Sequence, residues 1–242
     1  MMGARNSVRN VQTLGPLLAS GRDADIFEYG PGLVLRRSRG GRSMASEARI
    51  MQYLHGEGYP VPAVDSISDD GCDLVMERIA GPSMVEALSR APWTVRRQGG
   101  VLAELHSRLH NVQPPDFLAP APVGKGDRVL HMDLHPLNVI LGRKGPVVID
   151  WTLASLGDPV VDVGLVWVLL SAGEIPSGRI SATVLGLGRT LLMNAFISHF
   201  DREQVIRQLR DVVAWKVNDP HMSPREVEGM WQLVQRQEKR VS

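Results

Sequence analysis

Cysteine is nearly missing from this chain: its 242 residues contain one, Cys72. A lone thiol forms no internal disulfide and no metal-ligand cluster, which points to a reducing, cytoplasmic setting. An excess of one charge is missing too. The net charge of +1 provides no field that would draw the chain to nucleic acid or to an anionic membrane, so neither is an expected partner. No long apolar run occurs. The most apolar stretch, Val160 to Leu170, carries Asp162 and is too short to span a bilayer, so a buried helix is expected there. Near the N-terminus, Arg5 and Arg9 are followed by Gly15 and Pro16 rather than by an unbroken apolar core, and no signal peptide is expected. Internal repeats and low-complexity tracts are also lacking. What remains is ordinary for a globular chain, with 43% hydrophobic and 22% charged residues. The length allows one large domain or two small lobes, each with a core.

Turn chemistry organises the chain. Asp25 to Tyr29 and Leu33 to Arg37 flank Gly30-Pro31-Gly32 and predict a hairpin. A helix follows over Ser43 to His55, with Met44, Ala48, Met51 and His55 on one face, widened by Ala45 and Leu54. Gly56 and Gly58 stop it, and Pro60 and Pro62 prevent its resumption. Ala63 to Ile67 and Asp73 to Ile79 form a second hairpin around Asp69-Asp70-Gly71. The break at Gly81-Pro82 separates sheet plus one helix from a mainly helical remainder. The expected organisation is therefore an α+β chain with lobes over residues 1–81 and 82–242. In the second lobe, helices are expected over Thr94 to His110, Val160 to Leu170, Ser181 to Phe200, Glu203 to Asn218 and Pro224 to Glu238. The last has Ser223 as N-cap, Pro224 at its first position and Glu226 completing a capping box. Val227, Met230, Trp231 and Val234 form its expected buried stripe.

The chemistry-bearing segment is His131-Met-Asp-Leu-His-Pro-Leu-Asn138, followed by Val147-Val-Ile-Asp150. If Gly142 to Gly145 is a turn, Leu141 faces Pro146 and Ile140 faces Val147. Asn138 then faces Ile149 and lies beside Asp150. An amide oxygen and a carboxylate meet at one end of the hairpin, a ligand pair suited to Mg²⁺, which keeps room for water and phosphate. Asp133, on a preceding turn tightened by Pro136, is placed to meet an incoming hydroxyl as a base or orienting group, the arrangement that phosphoryl transfer requires.

His131-x-Asp133-x-x-x-x-Asn138, with Ile149-Asp150-Trp151 and Gly157-Asp158-Pro159, resembles the aminoglycoside phosphotransferase and choline kinase group, relatives of the protein kinases. The resemblance extends over most of the chain. It implies a bilobal protein-kinase-like fold, with a small sheet-plus-helix N-lobe and a larger, mainly helical C-lobe. It also implies an ATP-dependent small-molecule kinase, with GTP as a possible donor, that moves the γ-phosphoryl group to a hydroxyl of an antibiotic or metabolite. Asp133 corresponds to the catalytic aspartate, and Asn138 and Asp150 to the residues that hold Mg²⁺ on the nucleotide. Leu33-Val-Leu-Arg36 resembles the strand whose basic residue binds the α- and β-phosphates, and Glu47 matches the carboxylate that pairs with it. Leu74-Val-Met-Glu77-Arg-Ile79 resembles the hinge strand, where the backbone of Glu77 and Ile79 would meet the adenine edge. Ser20 and Gly21 fall in the phosphate loop, Ala19-Ser20-Gly21-Arg22-Asp23-Ala24. The chain departs from the pattern in three ways. Arginine stands where lysine is better known, the loop has a single glycine, and the chain is short for the family.

Blander readings stand beside these. Asp133, Asn138 and Asp150 could be turn residues, and Arg36 with Glu47 a surface ion pair. His131 reads as a structural residue that positions the loop. Asp162, inside an apolar helix, must be paired, and the resemblance gives it the task of steadying the catalytic-loop backbone. Asp158 reads as a cap or turn residue. His106 and His110 have helical i, i+4 spacing, but no third ligand accompanies them, so packing under the catalytic loop is expected rather than zinc binding. Arg37, Arg39 and Arg42 are expected to be solvated, and Trp93, Trp167, Trp215 and Trp231 to lie in core or groove. The helical tail from Gly173 nearly balances acids against bases, so it presents no large acidic field to a polycationic acceptor. The competing function is a nucleotide-binding pseudokinase that serves as a sensor or partner. A protein kinase ranks low, because no long segment separates Asp150 from Gly157-Asp158-Pro159. Oligomeric state is not legible.

Overall fold

A computed structural model describes residues 14–21, 23–172 and 182–241. Two compact units divide the chain: residues 1–52 with 62–79, and residues 53–61 with 80–242. The expected positions Arg5, Arg9, Arg22, Gly173 and Ser181 lie outside the described residues.

The first unit is built on an antiparallel sheet of β1 (Leu17–Ser20), β2 (Ala24–Glu28), β3 (Leu33–Ser38), β4 (Val64–Ile67) and β5 (Asp73–Glu77), in the order β1-β2-β3-β5-β4. Both predicted hairpins are present, and Gly30 and Gly32 supply the positive φ angles their turn needs. β1 takes in Ala19 and Ser20, which were expected in the phosphate loop. All four of its residues are exposed, so no alternation marks it; pairing with β2 makes it a strand. Helix α1 (Ala45–Gly56) buries Ala48, Ile50, Met51 and Leu54. The expected face is corrected at three places: Ile50 joins the core, and Ala45 and His55 are exposed.

The second unit is mainly helical: α2 (Met84–Arg90), α3 (Val95–His110), α4 (Pro159–Ala172), α5 (Ala182–Ile197), α6 (Arg202–Lys216) and α7 (Pro224–Val241). Two short antiparallel pairs carry the site loops: β6 (Arg128–Leu130) with β9 (Ser155–Gly157), and β7 (Val139–Gly142) with β8 (Gly145–Val148). The predicted register of the second pair is observed, with Leu141 opposite Pro146 and Ile140 opposite Val147. β7 approaches the segment before α2 so closely that a Cβ on Gly81 would sit 2.2 Å from the Leu141 carbonyl oxygen. Leu141 N–H donates to Pro82 O at 2.8 Å.

The capping box of α7 forms as expected: Glu226 N–H donates to Ser223 Oγ, and Ser223 N–H to Glu226 Oε2. Its buried stripe comprises Met230, Leu233 and Val234, while Val227 and Trp231 are half-buried. Trp167 is a core residue, but Trp93 is 80% exposed, contrary to the core or groove expected for it. Among the described residues, no helix is long and apolar enough to cross a membrane.

Helix α4 is apolar nearly all round, with Val161, Val163, Leu165, Val166, Trp167 and Val168 buried. Asp158 caps its start, accepting from Val160 N–H at 2.9 Å. Asp162, 1% exposed, is the exception on this helix. Its carboxylate accepts from His131 N–H at 2.9 Å and Met132 N–H at 2.7 Å, and from His110 Nε2 at 3.2 Å. Met132 is held at φ 66°, a left-handed conformation rare for a long side chain. Burial pushes the Asp162 carboxyl up, but the His110 hydrogen bond and charge, with the backbone donors, outweigh it and bring the group down to about 2.

Asp162→Ala strands two buried N–H groups and a histidine, and is expected to cost ~3–5 kcal/mol of unfolding free energy, read from the urea midpoint. The sign of the pH dependence follows from the lowered carboxyl. Its contribution is complete above the ordinary value of 3.8 and is lost as pH falls through about 2. Over that window, stability measured by circular dichroism should fall more steeply in the unmodified protein than in Asp162→Asn.

Candidate active site

The turn after β6 carries the site. His131 is fully buried and its two ring nitrogens face different partners. Nε2 donates to Ile149 O at 3.1 Å, and Nδ1 accepts from Asp133 N–H at 3.2 Å. One imidazole therefore joins the backbone before Asp150 to the backbone of Asp133. Burial pushes this ring's pKa down, which favours the neutral form that such a donor–acceptor arrangement needs. His131 acts on the site as a spacer, in line with its expected structural role.

Asp133 is only partly covered, its side chain 27% exposed. Burial raises its pKa, but the His135 hydrogen bond, with the Lys216 charge, outweighs this, so the carboxyl lies below its ordinary value and is ionised near neutrality. Asn138 closes the turn on it. Its Nδ2 donates to Asp133 O at 2.9 Å and to Asp133 Oδ2 at 3.2 Å. With the nitrogen so directed, the amide oxygen is the atom left to act as a ligand.

Ile149 N–H donates to Asn138 O at 3.0 Å, which extends the β7–β8 pairing by one step and brings Asp150 alongside Asn138. Asp150 has φ 65°, a left-handed conformation that aspartate tolerates better than most residues. Thr152 Oγ1 donates to its Oδ1 at 2.9 Å. An amide oxygen and a carboxylate at one end of a hairpin fit a hard, oxygen-seeking cation such as Mg²⁺.

His106 and His110 have separate partners. His106 Nδ1 bonds to Leu102 O within its own helix, and burial lowers the ring's pKa to about 4, whereas His110 is committed to Asp162.

The remaining predicted residues belong to the first unit. Arg36 on β3 and Glu47 in the first turn of α1 form an ion pair through Nη1 and Oε1. Their side chains are 12% and 4% exposed, so this is not a solvated surface pair. Glu77 ends β5 opposite Leu33; its N–H donates to Ala63 O at 2.8 Å, and Ile79 lies two residues on, beyond the strand. Ser20 ends β1, and its hydroxyl donates to Asp25 Oδ1 at 2.5 Å. Gly21 N–H bonds to Ala24 O at 2.9 Å. Arg39 also pairs with Asp25 (2.6 Å), and Arg37 with Asp73 (2.6 Å), so neither arginine is simply solvated as expected. In strand register Ser20, Asp25 and Arg37 share one face of the sheet, and Arg36 occupies the other.

Residue-by-residue reading of the sequence passed over His135. Its Nε2 lies 3.5 Å from Asp133 Oδ2, and its Nδ1 accepts from Leu137 N–H at 3.3 Å. The available signal was its place two residues after Asp133 and directly before Pro136, where an extended residue caps the turn.

The model of the phosphotransferase enzyme family matches residues 16–125 and 116–188 of this chain. No curated protein matches it significantly in sequence. Among solved structures it is similar to a choline/ethanolamine kinase family protein from Mesorhizobium loti, at 17% identity over 95% of this chain and 89% of the other, with a TM-score of 0.53. It is similar to the ADP-bound aminoglycoside phosphotransferase APH(2'')-Ib, at 16% identity over 94% and 93%, with a TM-score of 0.60. A thermostable mutant of aminoglycoside phosphotransferase APH(4)-Ia gives 12% identity over 95% and 96%, with a TM-score of 0.59. At such identities these structures establish the fold, the protein-kinase-like α+β fold expected from the sequence. The family match covers well over half of the residues, and the chain belongs to the phosphotransferase enzyme family.

Proposed function

We propose that this phosphotransferase moves the γ-phosphoryl group of ATP, or of GTP in its place, to a hydroxyl of a small molecule. The observation that carries the reading is the turn in which Asp133, Asn138 and Asp150 are tied together through Asn138 and His131. The ADP in one solved relative supports a nucleotide as donor.

Asp133, ionised near neutrality, orients the acceptor hydroxyl and takes its proton. The hydroxyl oxygen bonds to the γ-phosphorus as the bond to the β–γ bridging oxygen breaks and ADP leaves with that electron pair. Asn138 and Asp150 would hold Mg²⁺, which supplies charge neutralisation for the phosphate oxygens when bound. Arg36 would take phosphate oxygens, its guanidinium fixed by Glu47. The backbone of Ser20 and Gly21 would contribute to the phosphate site, and that of Glu77 and Ile79 to the base site. These assignments rest on the motif positions together with the local geometry of each unit.

The acceptor is read as a sugar, amino alcohol or other metabolite in preference to a polycationic antibiotic. Four acids of the helical tail are already engaged: Asp201 caps α6, Glu226 caps α7, Asp219 pairs with Lys216 and Glu238 with Arg210, which leaves few acids there, Asp211 among them, for a polycation. A polycation would need uncommitted carboxylates.

Two measurements test this reading. Mg²⁺-ATP at a hundredfold excess over its Kd should stabilise the protein by about 2.7 kcal/mol, seen as a raised Tm. Asp150→Ala is expected to lose the Mg²⁺-dependent part. No shift with ATP or GTP in folded protein would refute the nucleotide site. In an ADP-release screen of hydroxyl compounds, Asp133→Asn should cut turnover by at least ~10²-fold without lowering Tm. Full activity in that variant would remove Asp133 from the mechanism. Nucleotide binding with no transfer to any acceptor would favour a sensor or partner protein.

A further inference from the structure

The two oxygens of Asp133 are not equivalent. Oδ2 is approached by Asn138 Nδ2 at 3.2 Å and by His135 Nε2 at 3.5 Å. Among the described residues, no hydrogen bond reaches Oδ1. A carboxylate held by one oxygen from two sides has its rotation about the Cβ–Cγ bond fixed, and presents the other oxygen in a defined direction.

His135 is built for this contact. Leu137 N–H donates to its Nδ1, so that nitrogen must be an acceptor and the ring hydrogen must be on Nε2, facing Asp133. The ring itself is anchored. Its backbone N–H donates to Asp133 O at 3.0 Å, and its carbonyl accepts from Asn138 N–H at 2.9 Å. Pro136 is buried directly after it, and the His135 side chain is 20% exposed. The turn thus presents one histidine donor to the carboxylate and fixes the tautomer that makes it a donor.

We propose that His135 is a positioning residue for phosphoryl transfer: with Asn138 it holds Oδ2 of Asp133 and leaves Oδ1 as the oxygen that takes the acceptor proton. The inference rests on Asp133 being the base. The proton passes from the acceptor hydroxyl to Oδ1, while His135 keeps its own proton throughout.

The test uses the full chain, with water as the acceptor. MgATP hydrolysis and MgADP affinity are measured for the unmodified protein, His135→Ala and His135→Gln; the glutamine amide can place an N–H where Nε2 stands. His135→Ala should lower kcat about tenfold, below the ~10²-fold cost of a 1 Å misplacement, with KM for MgATP, MgADP affinity and Tm unchanged. His135→Gln should restore most of the rate. The ¹⁵N shifts of His135 should report hydrogen on Nε2 whether or not hydrolysis is measurable. Equal rates in all three proteins would overturn the proposal. So would a loss of Tm or MgADP affinity in His135→Ala that accounts for the rate, or hydrogen on Nδ1. If the unmodified protein bound no MgADP, the nucleotide reading would fall and this inference with it. An intact MgADP site with no effect at His135 would remove this inference alone.

Discussion

The Asp162 carboxylate is the interaction on which the turn that carries Asp133 depends. Taking a charge out of water costs several kcal/mol unless donors replace the solvent. Here the donors are the amides of two consecutive residues and an imidazole. Pairing the two amides forces the chain to reverse at Met132 in a conformation that costs roughly 1–2 kcal/mol for an L-residue. That reversal lets His131 lie inward against Trp151, with ring centroids 4.5 Å apart, and lets Asp133 emerge on the open side. A buried charge on an apolar helix thereby determines where a partly exposed charge appears.

His131 carries the constraint onward. Its ring spans from the backbone before Asp150 to the backbone of Asp133, so the proposed base and the proposed metal carboxylate cannot drift apart without breaking one of its two bonds. Asn138 adds the third connection. Asp133 and Asn138 each use part of their hydrogen-bonding capacity for architecture and keep one oxygen, Oδ1 of Asp133 and the amide oxygen of Asn138, for the proposed chemistry. Pre-organisation of this kind reduces the reorganisation needed when charge shifts during transfer.

Local signals were legible in the sequence. The β7–β8 register follows from a glycine-bounded turn and the two-residue period of a strand, and that register places Asn138 beside Asp150. The α7 capping box was equally direct. The same signature, Ser83 with Glu86, opens α2, yet the short helix was passed over for want of a long apolar stripe. Other features were hidden for physical reasons. β1 is exposed along its whole length and owes its conformation to a partner strand. β6 and β9 are three residues each and lie 25 positions apart from the end of one to the start of the other, a pairing no periodicity reveals. The role of His135 depends on which ring nitrogen carries hydrogen, and that follows from a backbone amide two residues away.

The β7–β8 hairpin has a consequence for how this sequence can vary. Gly142 pairs with Gly145, so Arg143 and Lys144 alone form the tip, away from Asn138 and Asp150. Extra residues inserted at that tip would lengthen a surface loop and leave the pairing below it unchanged. One residue inserted between Asn138 and Gly142 would instead shift the pairing by one step, turn each following side chain to the opposite face and separate the amide from the carboxylate. Loop length is free at one end of this hairpin. At the other end the two arms can change only together.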